Sequence, residues 1–335
     1  MRYRKTRRAC LNAQAMSQVA AFERLDGMDD PTHVFARLRP RLQGIAYRML
    51  GTVAEAEELV QDVWLRWHDA AHDSLASAEA WLVTVTTRLA IDRLRAAKLQ
   101  REHYTGLWLP EPVLTDGPAT PEQLLERADQ LSVAFLRLLE RLTPDARAAF
   151  LLREVFDADY AELARIVGKS EAACRQLVSR AKAQLREERP RYAVPEPTHR
   201  RLLQGFADTL ADGDLGALGA LFSEDAVLVS DGGGKALAFA DPVVGGRRIA
   251  QLFFAGRLRH GAALELRLVD LNGELALLRL LGGALETALA VETDGTRITR
   301  LYSQRNPDKL ARIAAGLGLP VVAPGDVTPR SSRSS

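Results

Sequence analysis

Arg175, Gln176 and Ser179, with Glu171 and Ala172 just before them, fall early in a segment whose spacing predicts a helix from Glu171 to about Glu188. Side chains of that size and hydrogen-bonding repertoire can reach the groups that base edges display in a major groove. Their surroundings are cationic. Between Arg165 and Arg191 the chain carries eight cations (Arg165, Lys169, Arg175, Arg180, Lys182, Arg186, Arg189, Arg191) against three anions (Glu171, Glu187, Glu188). The total formal charge of +2 hides this local excess, which suits a phosphate backbone. A second group, Arg88, Arg93, Arg95, Lys98 and Arg101, gathers in the C-terminal half of a helix expected from Glu79 to Arg101. Cations there suit the negative end of the helix dipole and equally suit phosphate. On a helix expected from Ala56 onward, Glu58, Gln61 and Asp62 lie on the polar face. Acid–base and metal chemistry are poorly provided for: Asp225, Asp241 and His260 stand in no recognisable pairing, and Cys10 and Cys174 share no metal-ligand spacing. Asp225 reads instead as a cap or turn ahead of a strand at Val227. No metal and no cofactor is expected.

The elements that must position these residues fall into three blocks. Length (335 residues), 26% charged and 47% apolar residues describe a multidomain globular protein. In the first block, 34–105, Ala56, Leu59, Val60, Val63, Trp64 and Trp67 follow the rhythm of one helix face, and Trp81, Leu82, Val85, Leu89 and Leu94 follow that of another. The second block, 122–191, opens with an amphipathic helix to Leu142, then Thr143 as N-cap and Pro144 as first helical residue. Its Tyr160–Val167 helix, Gly168-Lys169-Ser170 turn and Ser-capped second helix outline a helix-turn-helix. Linkers at 106–121 and 192–198 are rich in proline, which forbids a continuous helix. The third block, 199–316, passes from helices to strands at Leu264–Leu271, Leu275–Leu281, Leu285–Glu292 and Arg297–Gln304, an α+β pattern with a curved antiparallel sheet. Residues 1–33 are expected to be a disordered arm or sequence upstream of a true start, with Met16 and Met28 as alternatives, and 317–335 a flexible tail. No apolar run long enough to span a bilayer as a helix interrupts these blocks, and the sparse cysteines suit a reducing cytoplasm.

The first two blocks together resemble sigma-70 regions 2 and 4. Ala56-Glu-Glu-Leu-Val-Gln-Asp-Val-Trp-Leu-Arg66 resembles the helix by which sigma factors grip the beta-prime clamp helices of RNA polymerase, which places Glu58, Gln61 and Asp62 toward that partner. Trp81 to Arg95 resembles the helix that faces the minus-ten promoter element, and the resemblance gives Arg88, Arg93, Arg95, Lys98 and Arg101 to promoter DNA. Many members of the family have Asn where this chain has Arg88, so no Asn-type contact is carried over. Leu142 to Leu185 resembles region 4, reader of the minus-thirty-five element, through Lys169, Ser170, Arg175, Gln176, Ser179, Arg180 and Lys182. With no long region 3 between the blocks, the pattern is that of the extracytoplasmic-function (ECF) type.

Three short segments sharpen the resemblance. Trp108-Leu109-Pro110-Glu111-Pro112, Asp231-Gly232-Gly233-Gly234-Lys235 and Asn306-Pro307-Asp308-Lys309-Leu310 are similar to signatures of the ECF group that carries a C-terminal SnoaL-like (NTF2-like) domain. They suit an interface between domains better than chemistry. Trp108 in a Pro-stiffened stretch is a low-entropy anchor, and the triple glycine lacks P-loop spacing and reads as a turn permitting close backbone approach. The resemblance implies a promoter-specificity subunit restrained or adjusted by its own third domain. The rival readings are a third domain that acts as an isomerase or hydrolase or senses an unknown small-molecule ligand, and a repressor-like DNA-binding protein independent of polymerase.

Overall fold

The computed structural model describes residues 30–72, 75–101, 104–115, 132–188 and 194–323. Residues 1–29 of the expected N-terminal arm, residues 124–131 of the helix expected from Leu124 and the Ser-rich end lie outside the described residues, whereas Asp30 and residues 31–33, expected to belong to the arm, are instead the cap and the first residues of a helix. Helices α1 (Pro31–Leu50), α2 (Val53–His68) and α3 (Ala78–Arg101) come first. Asp30 caps α1 by accepting from Thr32 N at 3.1 Å, and Gly51, at φ +84°, ends it in a left-handed turn. Next come α4 (Val133–Leu139), α5 (Pro144–Glu154), α6 (Tyr160–Val167) and α7 (Glu171–Glu188). Thr143 caps α5 as expected, accepting from Ala146 N at 3.3 Å.

The first two blocks are not separate modules. Leu42, Ile45 and Met49 of α1, Leu59 and Val63 of α2, and Leu82 and Ala90 of α3 share one contiguous buried core with Leu139, Leu151, Leu163, Val178 and Leu185. α3 packs against both α5 and α6.

The third block holds α8 (Glu196–Asp212), α9 (Leu215–Ala220), β1 (Phe222–Asp231), β2 (Val243–Val244), α10 (Gly246–His260), β3 (Leu264–Leu271), β4 (Glu274–Leu281), β5 (Ala284–Thr293), β6 (Ile298–Gln304) and α11 (Pro307–Leu317). Its six-stranded sheet has the order β2-β1-β6-β5-β4-β3. The expectation of an antiparallel sheet is corrected at one place: β1 and β6 run parallel, with Ser230 beside Ser303 and Asp231 beside Gln304. The chain crosses from β1 to the far edge through α10 and returns by hairpins, so β6 arrives at β1 in the same direction. Register shifts in the β1–β6, β4–β5 and β5–β6 pairs bend the sheet. Asp225 is a second correction, since it lies within β1 at such an irregularity rather than ahead of the strand.

The two faces of the sheet serve different ends. The inner face packs Leu228, Leu277, Leu289 and Leu301 under Phe206 of α8 and Ile249 and Phe253 of α10. The outer face meets α11 through Leu278, Ala288, Leu310 and Ile313, and beside it Tyr302 packs with Leu109 and Val133 of the helical part. Residues 318–323 depart from the expected flexible tail. Val321 bridges Leu285, and Leu319 and Val321 pack on the outer-face core, because β5 would otherwise leave backbone groups unpaired there.

Candidate DNA interface and the strap that holds it

The helix-turn-helix is built as its local sequence dictates. Asp159 caps α6 by accepting from Glu162 N at 2.7 Å, Gly168 at φ +69° turns the chain, and Ser170 accepts from Ala173 N at 3.2 Å to start α7. Leu163, Ile166, Cys174, Val178, Ala181 and Leu185 are buried, which leaves Lys169, Ser170, Arg175, Gln176, Ser179 and Arg180 exposed along one side. Arg175 is pre-positioned by Glu171 at 2.7 Å and by the Tyr160 ring at 5.0 Å. Lys169 pairs with Asp145 at 3.3 Å, and half-buried Lys182 with Glu154 at 2.6 Å.

On α2, Glu58 and Gln61 are exposed, while Asp62 is tied to Arg93 at 2.5 Å. Arg93 also donates to Glu55 O at 3.0 Å, so this expected minus-ten cation braces α3 against α2 in the structure. Arg88 and Arg95 are likewise engaged. Arg88 donates to Ile166 O at 3.0 Å and Arg165 O at 2.7 Å, capping carbonyls at the C-terminal end of α6 where the dipole is negative. Arg95 reaches Asp145 at 2.7 Å, in the first turn of α5. Two of the expected DNA-facing cations of the first block, Arg88 and Arg95, are thus turned onto the second block, and Arg93 onto α2. The side chains of Lys98 and Arg101 lie outside the described residues.

Residues 104–115 form an ordered strap, not a loose linker. On one side Glu111 N donates to Gly51 O at 2.9 Å, the Glu111 carboxylate accepts from Val53 N at 2.8 Å, and Tyr47 Oη donates to Glu111 O at 2.7 Å. Burial pushes the Glu111 carboxyl up, opposed by the Val53 N–H and by Arg312. Trp108 packs over Gly51 so closely that a Cβ there would overlap the indole. On the other side Leu114 bridges Leu271 of β3, and Val113 exchanges two hydrogen bonds with Asn272, at 2.9 Å to its side chain and 2.8 Å from its backbone.

Asp231, fully buried, is the centre of this contact. Its carboxylate accepts from Tyr104 Oη at 2.7 Å, Leu109 N at 2.9 Å, Gln304 Nε2 at 3.2 Å, Lys309 Nζ at 2.8 Å and Gly233 N at 3.0 Å. Lys309 Nζ also donates to Leu109 O at 2.6 Å and sits 4.3 Å from the Trp108 ring and 5.2 Å from that of Tyr104. Asn306 donates to Tyr104 Oη at 3.2 Å and caps α11. Asp308 pairs with Lys235 at 2.6 Å on the surface. The triple glycine adopts the expected tight turn: Gly233 and Gly234 have φ +60° and +70°, and a Cβ on Gly233 would strike Asn306. The three short segments therefore meet at one point.

Tyr47, Tyr104, Asn272, Gln304 and Arg312 complete the contact, and the sequence reading missed them. Asn272-Gly273 is a hairpin-turn pair readable in the sequence. That the Asn272 side chain also grips Tyr47 Oη at 2.8 Å, 225 residues away, is not.

Two helical blocks sharing a core, one with a solvent-facing basic helix-turn-helix, and an α+β domain strapped to both define a multidomain protein shaped to bind nucleic acid. Residues 34–100 match the family model for Sigma-70 region 2, and residues 132–185 that for Sigma-70, region 4. Over 247 residues the chain is 41% identical to the ECF RNA polymerase sigma factor SigJ of Mycobacterium tuberculosis, covering 72% of this chain and 78% of that protein. It is 29% identical over 289 residues to the probable ECF RNA polymerase sigma factor SigI of the same species, covering 84% and 94%. The crystal structure of M. tuberculosis SigJ matches with a TM-score of 0.67 at 34% identity, over 84% of this chain and 99% of that one. The chain belongs to the sigma-70 family as an ECF RNA polymerase sigma factor, and its third block, beyond both family models, is an α+β domain with a mixed six-stranded sheet. No helix among the described residues is long and apolar enough to cross a membrane, and no group of three or more His, Cys, Asp or Glu there could hold a metal.

Proposed function

We propose that this sigma factor initiates transcription in the cytoplasm without enzymatic activity of its own, and that its SnoaL-like domain controls when the promoter-reading surfaces are available. α2 docks on the beta-prime clamp helices through Glu58, Gln61 and Asp62. α3 faces the minus-ten element through Arg88, Arg93, Arg95, Lys98 and Arg101, and α7 reads the minus-thirty-five element through Lys169, Ser170, Arg175, Gln176, Ser179, Arg180 and Lys182. The form described here is a closed one, with Arg88 and Arg95 committed to the helix-turn-helix block. The observation that carries the regulatory reading is the buried Asp231 cluster, which joins the third domain to the strap between the DNA-reading blocks. Such a tether acts at high effective concentration, on the order of millimolar for short linkers, so modest contacts suffice to hold it. The test is run-off transcription with core RNA polymerase, comparing the full chain with one ending at Arg191. Promoter-specific transcripts in differing amounts are expected. Equal amounts would sink the regulatory role, and no transcript from either chain would sink polymerase-dependent initiation.

A further inference from the structure

The third domain holds a cavity of about 480 Å³ that none of the sigma surfaces uses. It opens at the end of the sheet nearest Asp231. Along the inner face, Leu228, Leu301, Leu289 and Leu277 belong to the apolar core. One step further toward the same end these four strands present Ser230, Ser303, Thr287 and Arg279 instead. All four line the cavity, and Ser230, Thr287 and Ser303 are buried. A polar corner at the rim of an apolar core costs stability unless something uses it.

The charges around it are unbalanced. Arg259 and His260 of α10, Arg279 of β4 and Arg305 beyond β6 line the cavity. The buried Glu286 carboxylate contacts Arg279 at 2.9 Å and also pairs with Arg305, so one anion is shared between two guanidinium groups. Arg259 is exposed and makes no ion pair among the described residues, which leaves three arginines against one carboxylate. Arg305 keeps a buried Nε–H without a hydrogen-bond partner, a donor that an anionic oxygen would satisfy. Burial and the cations Arg279, Arg259 and Arg305, opposed by Glu286, push His260 below its ordinary range, as a positive field does. The remaining wall is apolar: Leu228, Leu252 and Phe253 inside, with Leu237 and Phe239 at the rim, 53% and 41% exposed.

We infer that this cavity is a binding site for a small organic monoanion, a carboxylate with an apolar body. The head lies among Arg259, Arg279 and Arg305, where guanidinium forks match two carboxylate oxygens, and the body lies against Leu252, Phe253, Leu237 and Phe239. A cavity of this size is in the usual range for such ligands. The site also touches the strap contact through the chain itself. Arg305 donates to Leu237 O at 2.5 Å, and its own N–H donates to Asp231 O at 2.7 Å. A ligand drawing on Arg305 therefore pulls on the loop that begins at Asp231 and on the next residue, Asn306, which donates to Tyr104 Oη. This coupling rests on the regulatory reading above, whereas binding does not.

Octanoate is the probe, titrated calorimetrically into the full chain, with octan-1-ol (apolar body, no charge), octylammonium (opposite charge) and inorganic phosphate (charge, no body) as comparisons. Two surface variants that spare the core, Arg259→Gln and Leu237→Glu, are titrated alongside. Saturable one-to-one binding of octanoate is expected, at least tenfold tighter than any comparison and weakened at least fivefold by each variant. The site is overturned if octanoate does not saturate, if octanol or phosphate binds as tightly, or if both variants bind octanoate unchanged. Run-off transcription with and without octanoate then tests the coupling separately: binding with an unchanged transcript level keeps the site and removes its link to the strap.

Discussion

Asp231 and Lys309 are a buried pair that five hydrogen bonds to the carboxylate and two aromatic faces around the ammonium make tolerable. Replacing one partner leaves the other charged, buried and unmatched. Asp231→Asn keeps the shape and removes the charge, and is expected to cost about 3–5 kcal/mol in urea unfolding of the full chain or to release the strap, read as lost hydrogen-exchange protection at 104–115. The double variant Asp231→Asn with Lys309→Met is expected to recover much of the loss, because no lone charge remains. Strictly additive effects would mean that the two residues are not energetically linked. Gly51 gives a second residue-level test, since it needs a left-handed backbone and lies under Trp108. Gly51→Ala is expected to cost about 1–2 kcal/mol for the backbone alone, plus a shift in indole fluorescence as Trp108 is displaced. An unchanged emission spectrum would show that the indole does not depend on this contact.

At the scale of elements, the proposed reading divides α7 between base reading and phosphate contact. Arg175 and Gln176 lie exposed on its first turns, whereas Lys182 lies further along, pinned to Glu154. Arg175→Ala and Gln176→Ala are expected to change discrimination among minus-thirty-five variants by about 1–3 kcal/mol per lost base contact. Lys182→Ala is expected to weaken all promoters alike and to lower the salt slope by about one. A promoter panel at two salt concentrations distinguishes them, and equal losses on every promoter for Arg175→Ala would place that side chain on phosphate. Elements of this kind were legible in the sequence because their information is local. The Thr143 and Ser170 caps, the Gly168 turn and the alternating strands each depend on neighbours a few residues away. The parallel β1–β6 pair was not legible, since its register is set by partners about seventy residues apart. The three interface segments were legible through family resemblance, but the convergence of Asp231, Lys309 and Trp108 on one point depends on a fold that no spacing encodes. The fates of Arg88 and Arg93 were hidden for the same reason: a cation reads as a phosphate ligand until a carbonyl or carboxylate of another element is seen beside it.

For the whole molecule, the shared core and the strap raise the question of whether the closed form opens on polymerase. Arg88 and Arg95 cannot hold Arg165 O, Ile166 O and Asp145 and contact a promoter at the same time. Asp145 isolates this contact, because it receives both Arg95 and Lys169 yet is not the cap of its own helix, which is Thr143. Ion pairs this exposed are worth on the order of 1 kcal/mol or less, so Asp145→Ala is expected to shift the closed-to-open ratio by a factor of about five at most. Fluorescent labels at the exposed positions Leu65 and Ala183 report the separation of the two blocks by energy transfer. Core polymerase is expected to lower the transfer efficiency of the full chain, and Asp145→Ala to move the free chain part of the way in the same direction. Both follow if the strap stores a closed state that polymerase must compete against. If polymerase leaves the transfer efficiency unchanged, the arrangement described here is the polymerase-bound one, and Arg88 and Arg95 serve to join the two blocks rather than to hold DNA.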